Sequence, residues 1–310
     1  MKTEQYGAHP QRRLLNERVD AGVSNDTLNG LKGSDTMIGG TGDDTYWVDA
    51  STDVVVELEN EGNDTVIATA SLTLGANVEN LRINTSGAMN ASGNAADNLF
   101  YAGTGDNVID GAGGIDTVSY QWANAAVSVN LSNTSAQAAG GSGRDTLLNI
   151  ENLTGSAFDD TLEGNFGANR LQGGLGNDTL VGGAGDDTYV LGRGEGSDVI
   201  VENDAGAGNT DVALFGGGVA ADQLWFTRTG NNLDIAVIGT DDKFTVADWY
   251  SGSAYHVEKI KTSDGKVLLD SQVQSLVQAM ASFSPPAAGQ TTLPANYQSS
   301  LGAVIAANWH

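Results

Sequence analysis

Cysteine is absent from the 310 residues, so the chain has no disulfide framework and no thiolate metal site. Proline is nearly as scarce: four residues, at Pro10, Pro285, Pro286 and Pro294. Proline has no N–H to donate to a strand ladder, so the long stretch without it leaves room for a continuous one. No apolar run approaches the roughly 18 residues of a membrane-spanning helix. The longest apolar run near the N-terminus is Leu14-Leu15, whereas a cleavable secretory signal needs about 7–15 apolar residues. Either the chain stays in the cytosol or it leaves by a route that reads something else. Basic residues are few: Lys and Arg total 14 against 39 Asp and Glu, a formal charge of −25. Neutralising phosphates takes Lys and Arg, which argues against nucleic acid as a partner.

Glycine is plentiful, with 42 residues, and it is in phase. Three nine-residue blocks run without a gap, AGVSNDTLN (21–29), GLKGSDTMI (30–38) and GGTGDDTYW (39–47). Four more follow later, GSAFDDTLE (155–163), GNFGANRLQ (164–172), GGLGNDTLV (173–181) and GGAGDDTYV (182–190). GGSGRDTLL (140–148) stands alone, and looser copies lie at 59–67, 92–100, 101–109 and 111–119. The sixth place is Asp26, Asp35, Asp44, Asp64, Asp97, Asp106, Asp116, Asp145, Asp160, Asp178 or Asp187, and Asn169 in one block. The eighth is usually apolar: Leu28, Met37, Tyr46, Val66, Leu99, Val108, Val118, Leu147, Leu162, Leu180, Tyr189.

The chemistry follows from the spacing. Glycines at places one, two and four permit a tight turn and leave carbonyl oxygens open to an ion. The carboxylate at place six adds a hard oxygen, and Ca2+ takes such oxygen ligands. The candidate metal residues are therefore the twelve place-six residues with Gly39, Gly40, Gly42, Gly140, Gly141, Gly143, Gly173, Gly174, Gly176, Gly182, Gly183 and Gly185. After place six comes a short strand with its apolar residue inward, as strand alternation requires.

The blocks match the calcium-binding nonapeptide pattern G-G-x-G-x-D-x-U-x, and the chain resembles the RTX (repeats-in-toxin, haemolysin-type calcium-binding) family. The resemblance implies an all-β fold, a right-handed parallel β-roll/β-helix solenoid with two nonapeptides per turn. Loops 18 residues apart then stack, about 4.8 Å from strand to strand. It pairs Asp26 with Asp44, Asp160 with Asp178, Asn169 with Asp187 and Asp35 with Asp53. Several Ca2+ ions are expected, with calcium-driven folding after type I secretion from a Gram-negative bacterium to the outside or the cell surface.

Beyond the glycine blocks the pattern changes. The segments 224–250 and 256–269 read as strands with polar turns. Ser271 with Gln274 reads as a capping box, ahead of a helical face of Val273, Leu276, Val277, Met280 and Phe283. The tail lacks acidic residues and shows helical spacing at Leu301, Val304 and Ile305. The layout is an N-terminal segment (1–20), a repeat solenoid (21–215), a β-rich cap with a short helix (216–283) and a tail (284–310). By resemblance that tail is the uncleaved export signal.

No catalytic set emerges. The histidines His9, His256 and His310 are far apart, and both H-E-x-x-H and G-x-S-x-G are absent. The chain reads as a non-enzyme, and three functions stay open. It is a secreted calcium-binding module, a self-assembling structural or adhesive subunit (filament, surface layer or matrix), or a polysaccharide-binding accessory with Trp225, Trp249 and Tyr250 as its platform. Its partners would be calcium, the type I machinery and possible further copies of itself.

Overall fold

The computed structural model describes residues 16–204 and 208–310. The N-terminal segment 1–20, with His9 and Pro10, falls mostly outside them. Short strands alternate with glycine turns, and each strand pairs in parallel with the one a full turn later. Two compact units are built this way, one from residues up to 124 with 133–152, the other from 125–132 with 153–310.

In the first unit, Thr27–Asn29, Thr45–Val48, Thr65–Ala68, Asn80–Ile83, Leu99–Tyr101 and Thr117–Ser119 form one parallel stack. Threonine opens four of the six, and its branched Cβ suits a strand. Register aligns Leu28, Tyr46, Val66, Leu81, Phe100 and Val118 in a column, none more than 2% exposed. The intervening strands form further sheets, Arg18–Val23 with Thr36–Thr41 and Val54–Val56, and Met89–Ser92 with Asn107–Asp110 and Arg144–Leu148. The fold is a parallel β-roll.

The second unit repeats the plan. Val129, Leu162, Leu180, Ile200 and Val246 stack on one side, and Leu171, Tyr189, Ala213 and Ile260 on the other. Pairing then turns antiparallel: Leu224–Thr229 with Asn232–Val237, Asn232–Val237 with Lys243–Val246, and Lys259–Thr262 with Val267–Leu269. Helix α1 (Asp270–Met280) buries Val273, Leu276, Val277 and Met280. Its start differs from the Ser271 and Gln274 box. The strand runs straight into the helix, Leu269 holds the first free N–H, and Gln272 Oε1 accepts it at 3.1 Å. Helix α2 (Ala295–Asn308) buries Leu301 and Ile305. His310 and Val267 then exchange two backbone hydrogen bonds of 2.9 and 3.0 Å. Trp225 and Trp249 are 3% and 4% exposed, so they pack inside rather than form a sugar platform. No helix among the described residues is long and apolar enough to cross a membrane.

Candidate calcium centres

Each strand ladder begins one residue after place six, as in Thr179 N–H to Asp160 O at 2.8 Å. That leaves the place-six N–H without a strand partner. The place-six carboxylate of the next turn supplies one: Asp26 N–H donates to Asp44 Oδ1 (2.6 Å), Asp160 N–H to Asp178 (2.7 Å) and Asn169 N–H to Asp187 (2.8 Å). Asp35 N–H donates to Asp53 at 3.1 Å, although the Asp53 turn has no glycine. Asp64 receives Asp44 N–H, Asp116 receives Asn98 N–H and Asp145 receives Asn107 N–H. These carboxylates form columns down the turns.

Each carboxylate spends one oxygen on the ladder. The second, Oδ2, is buried without a hydrogen-bond partner in Asp35, Asp44, Asp64, Asp116, Asp145, Asp178, Asp187 and Asp198. Place-one glycines sit directly over these oxygens, so a Cβ on Gly39, Gly111, Gly173 or Gly182 would fall below 3.0 Å from the carboxylate of its own loop. The ion pairs among the described residues lie elsewhere, at Arg18–Asp20, Lys243–Asp234 and His256–Asp270. Buried carboxylates without counter-charge are costly. A cluster of hard, uncompensated oxygens fits Ca2+, which would supply the missing charge and coordination.

Sequence comparison matches this architecture. The RTX calcium-binding nonapeptide repeat model fits four copies across residues 16–55, 90–118 and 154–189, and the haemolysin-type calcium binding protein related domain fits residues 232–272. The chain carries RTX calcium-binding nonapeptide repeats. Curated relatives include the endo-1,3-1,4-beta-glycanase ExsH of Rhizobium meliloti (strain 1021), 42% identical over 96 residues, 28% of this chain and 20% of that protein. Another is the iron-regulated protein FrpA of Neisseria meningitidis serogroup C, 36% identical over 86 residues, 27% of this chain and 8% of that one. The RTX chain thus spans a fifth or less of these relatives. Among solved structures, the extracellular lipase LipA from Serratia marcescens covers 61% of this chain and 43% of its own at 14% identity, with a TM-score of only 0.24. RTX nonapeptide repeats bind Ca2+, several ions to an array.

Two loops of the RTX array are phased one residue away from the sequence reading. Asn98 and Asn107, not Asp97 and Asp106, occupy place six, and Phe100 and Ile109 turn inward in place of Leu99 and Val108. Asp97 and Asp106 sit at place five, where they accept Ile115 N–H (2.8 Å) and Arg144 N–H (2.9 Å). In both blocks Asp-Asn precedes two apolar residues, so two phases fit. AGTGDNVI (102–109) keeps glycine at places two and four, and the aromatic ring of Phe100 is buried in preference to Leu99. Gly140 and Gly141 lie in a short 3-10 turn, and Gly143 rests on the Gly105 carbonyl. The sequence reading also missed carboxylates that take the place-six role. Glu79 and Glu258 accept Asp64 N–H and Asp211 N–H, and Glu151 accepts Asp116 N–H. Their signal is an E-x-U triplet, in VENL, VEKI and IENL, where D-x-U is expected.

Burial pushes these RTX carboxyls upward from an ordinary value near 3.8: Asp178 to about 7, Asp198 to about 8, Asp211 to about 7, and Asp64, Asp116, Asp145 and Asp187 to about 6. Desolvation is the largest cause and neighbouring carboxylates add to it, while the ladder N–H groups partly offset both. The sign for the calcium-free chain follows. Stability from these groups is full below about pH 4, where both states are protonated, and is lost as pH rises through about 6–8. Metal-free chain titrated by circular dichroism should therefore lose β-signal between about pH 4 and pH 8, and saturating calcium should suppress the loss. A metal-free signal that holds or grows with pH contradicts this.

Proposed function

We propose that the chain is a secreted calcium-binding RTX protein whose folding outside the cell is driven by Ca2+ taken up between stacked loops. The observation that carries this reading is the set of buried place-six Oδ2 atoms without hydrogen-bond partners. Ionising such an oxygen without an ion beside it leaves a buried charge with nothing to offset it. With one, loops 18–20 residues apart are tied together. Extracellular calcium modules work at about 10⁻⁴–10⁻³ M. Cytosolic calcium is far lower, so the chain would stay extended for export through a type I system and fold beyond it. Within this reading, residues 21–215 are the calcium solenoid, 216–283 the cap, and 284–310 the export signal. A calcium titration followed by circular dichroism at neutral pH tests it: β-signal should rise cooperatively toward millimolar calcium. A fully β-rich chain in EGTA sinks it.

The alternative reading is a calcium-stabilised structural or adhesive subunit. Its support is Arg18–Val23, which lies at the edge of its sheet among the described residues, together with Phe166 at 86% exposed and Val23 at 77% exposed. A strand edge can accept a strand from another chain, and contacts that do not close propagate. Light scattering of the calcium-loaded chain across a concentration series decides: growth in mass supports assembly, and constant monomer mass removes it. Nothing in the site assembles a catalytic set, and the glycanase activity in one relative's name belongs to a protein of which this chain matches 20%.

A further inference from the structure

Two turns break the place-one rule in the same way. Strand Val54–Val56 pairs with Thr36–Thr41 so that Val56 lies beside Ile38, which puts Glu57 beside Gly39. Strand Ser197–Val201 pairs with Thr179–Val181 so that Val201 lies beside Val181, which puts Glu202 beside Gly182. In the turn below, glycine is needed because a Cβ would strike that loop's own aspartate. The turns headed by glutamate are longer. Gly39 to Asp44 and Gly182 to Asp187 are five steps each, Glu57 to Asp64 is seven, and Glu202 to Asp211 is nine. The glutamate side chain turns inward in both: Glu57 is 5% exposed and Glu202 2%.

Each glutamate meets the aspartate of its own turn and that of the turn below. One oxygen each from Asp44, Glu57 and Asp64 lies within 4.8 Å of the others, and the same holds for Asp187, Glu202 and Asp211. Oxygens on opposite sides of a calcium ion at about 2.4 Å would be about 4.8 Å apart. A second feature, independent of the carboxylates, marks both places. The turn below carries tyrosine at place eight, where most blocks carry Leu or Val. Tyr46 is fully buried, its hydroxyl has no partner, and it converges with Asp44 Oδ2 over Gly39. Tyr189 is likewise fully buried, converges with Asp187 Oδ2 over Gly182, accepts Gly182 N–H at 2.9 Å and donates to Glu202. Both oxygens of Glu57 lack partners.

We propose that Asp44–Glu57–Asp64 with Tyr46, and Asp187–Glu202–Asp211 with Tyr189, are two internal cation sites, one in each compact unit, that hold a divalent hard cation more tightly than the loop pairs. This rests on the calcium reading of the repeats and adds to it a third carboxylate from outside the nonapeptide pattern. All donors are oxygens, which selects Ca2+ over softer metals. Affinity of calcium sites rises with ligand charge and rigidity, so these two ions should leave last, at least about tenfold more slowly than the others.

The test counts calcium in the full chain after dialysis against a weak chelator, in wild type, E57Q/E202Q and the exposed control E59Q. The wild type and E59Q should each retain two ions, and E57Q/E202Q should retain none while still compacting in excess calcium. Equal retention in all three overturns these sites and leaves the loop reading standing. A wild type that binds no calcium under any condition overturns both. Should E57Q/E202Q fail to compact, Y46F/Y189F decides, since it keeps every carboxylate. Release of the two slow ions quickens several-fold if the phenols face them, and an unchanged rate overturns the assignment.

Discussion

Removing calcium at neutral pH should roughly double or triple the radius of the chain. A compact chain of 310 residues has a radius of gyration of about 20 Å, and an unfolded one about 60 Å. Two terms push the ion-free chain toward the upper one. The net charge of −25 repels itself. More locally, the columns place carboxylate above carboxylate in successive turns, with eight buried Oδ2 atoms unpartnered among the described residues. Adding a proton relieves one such atom, and adding a divalent ion relieves two loops together. Size-exclusion chromatography with light scattering, in EGTA and in about 1 mM calcium, reads the difference directly. Equal radii in the two buffers would mean that packing of the Leu28-to-Val118 and Leu162-to-Val246 columns suffices without ions. The calcium-driven part of the proposed function would then fail, while the fold would stand.

How much of this is legible in the sequence depends on which residue carries the signal. The roll is legible because each turn repeats the same short-range demands: glycine where a Cβ has no room, an acceptor at place six, an apolar residue two later. The pairs Asp26 with Asp44 and Asp160 with Asp178 follow once the family resemblance sets two such nine-residue blocks to a turn. Phase becomes ambiguous where the demands are met twice, as at Asp97-Asn98 and Asp106-Asn107, and three-dimensional packing of Phe100 and Ile109 decides it. Glu79, Glu151 and Glu258 escape a pattern that asks for aspartate, because a longer carboxylate reaches the same N–H from a differently shaped turn. Glu57 and Glu202 escape it for a stronger reason. Their role exists only once the turn below is in place, and insertions of two and four residues beyond the five-step spacing hide the register. The tyrosine at place eight is the one local mark, in DDTYW and DDTYV, and it is visible only when compared with the DTL and DTV of the other blocks.

Four glycine-to-alanine variants separate the two reasons a turn can need glycine. Gly173 has no left-handed backbone, but a Cβ there would press into Asp178 Oδ2. Gly174 has φ of 103° and a Cβ there would also strike the Ser156 carbonyl, one turn below. Gly194 has φ of 80° with open space around it, and Gly113 has neither constraint. Left-handed backbone costs a side chain about 1–2 kcal/mol. A clash with backbone or a buried carboxylate forces movement in a close-packed turn, and the two together should exceed about 3 kcal/mol. In millimolar calcium, urea unfolding should rank G174A as most damaging, then G173A, then G194A at about 1–2 kcal/mol. G113A should be neutral or stabilising by up to about 1 kcal/mol, since alanine narrows the unfolded ensemble. If G194A costs as much as G174A, backbone conformation alone explains the repeats' glycines. If G173A matches G113A, the place-one glycine does not stand against the carboxylate, and the reason given for glycine at that place falls with it.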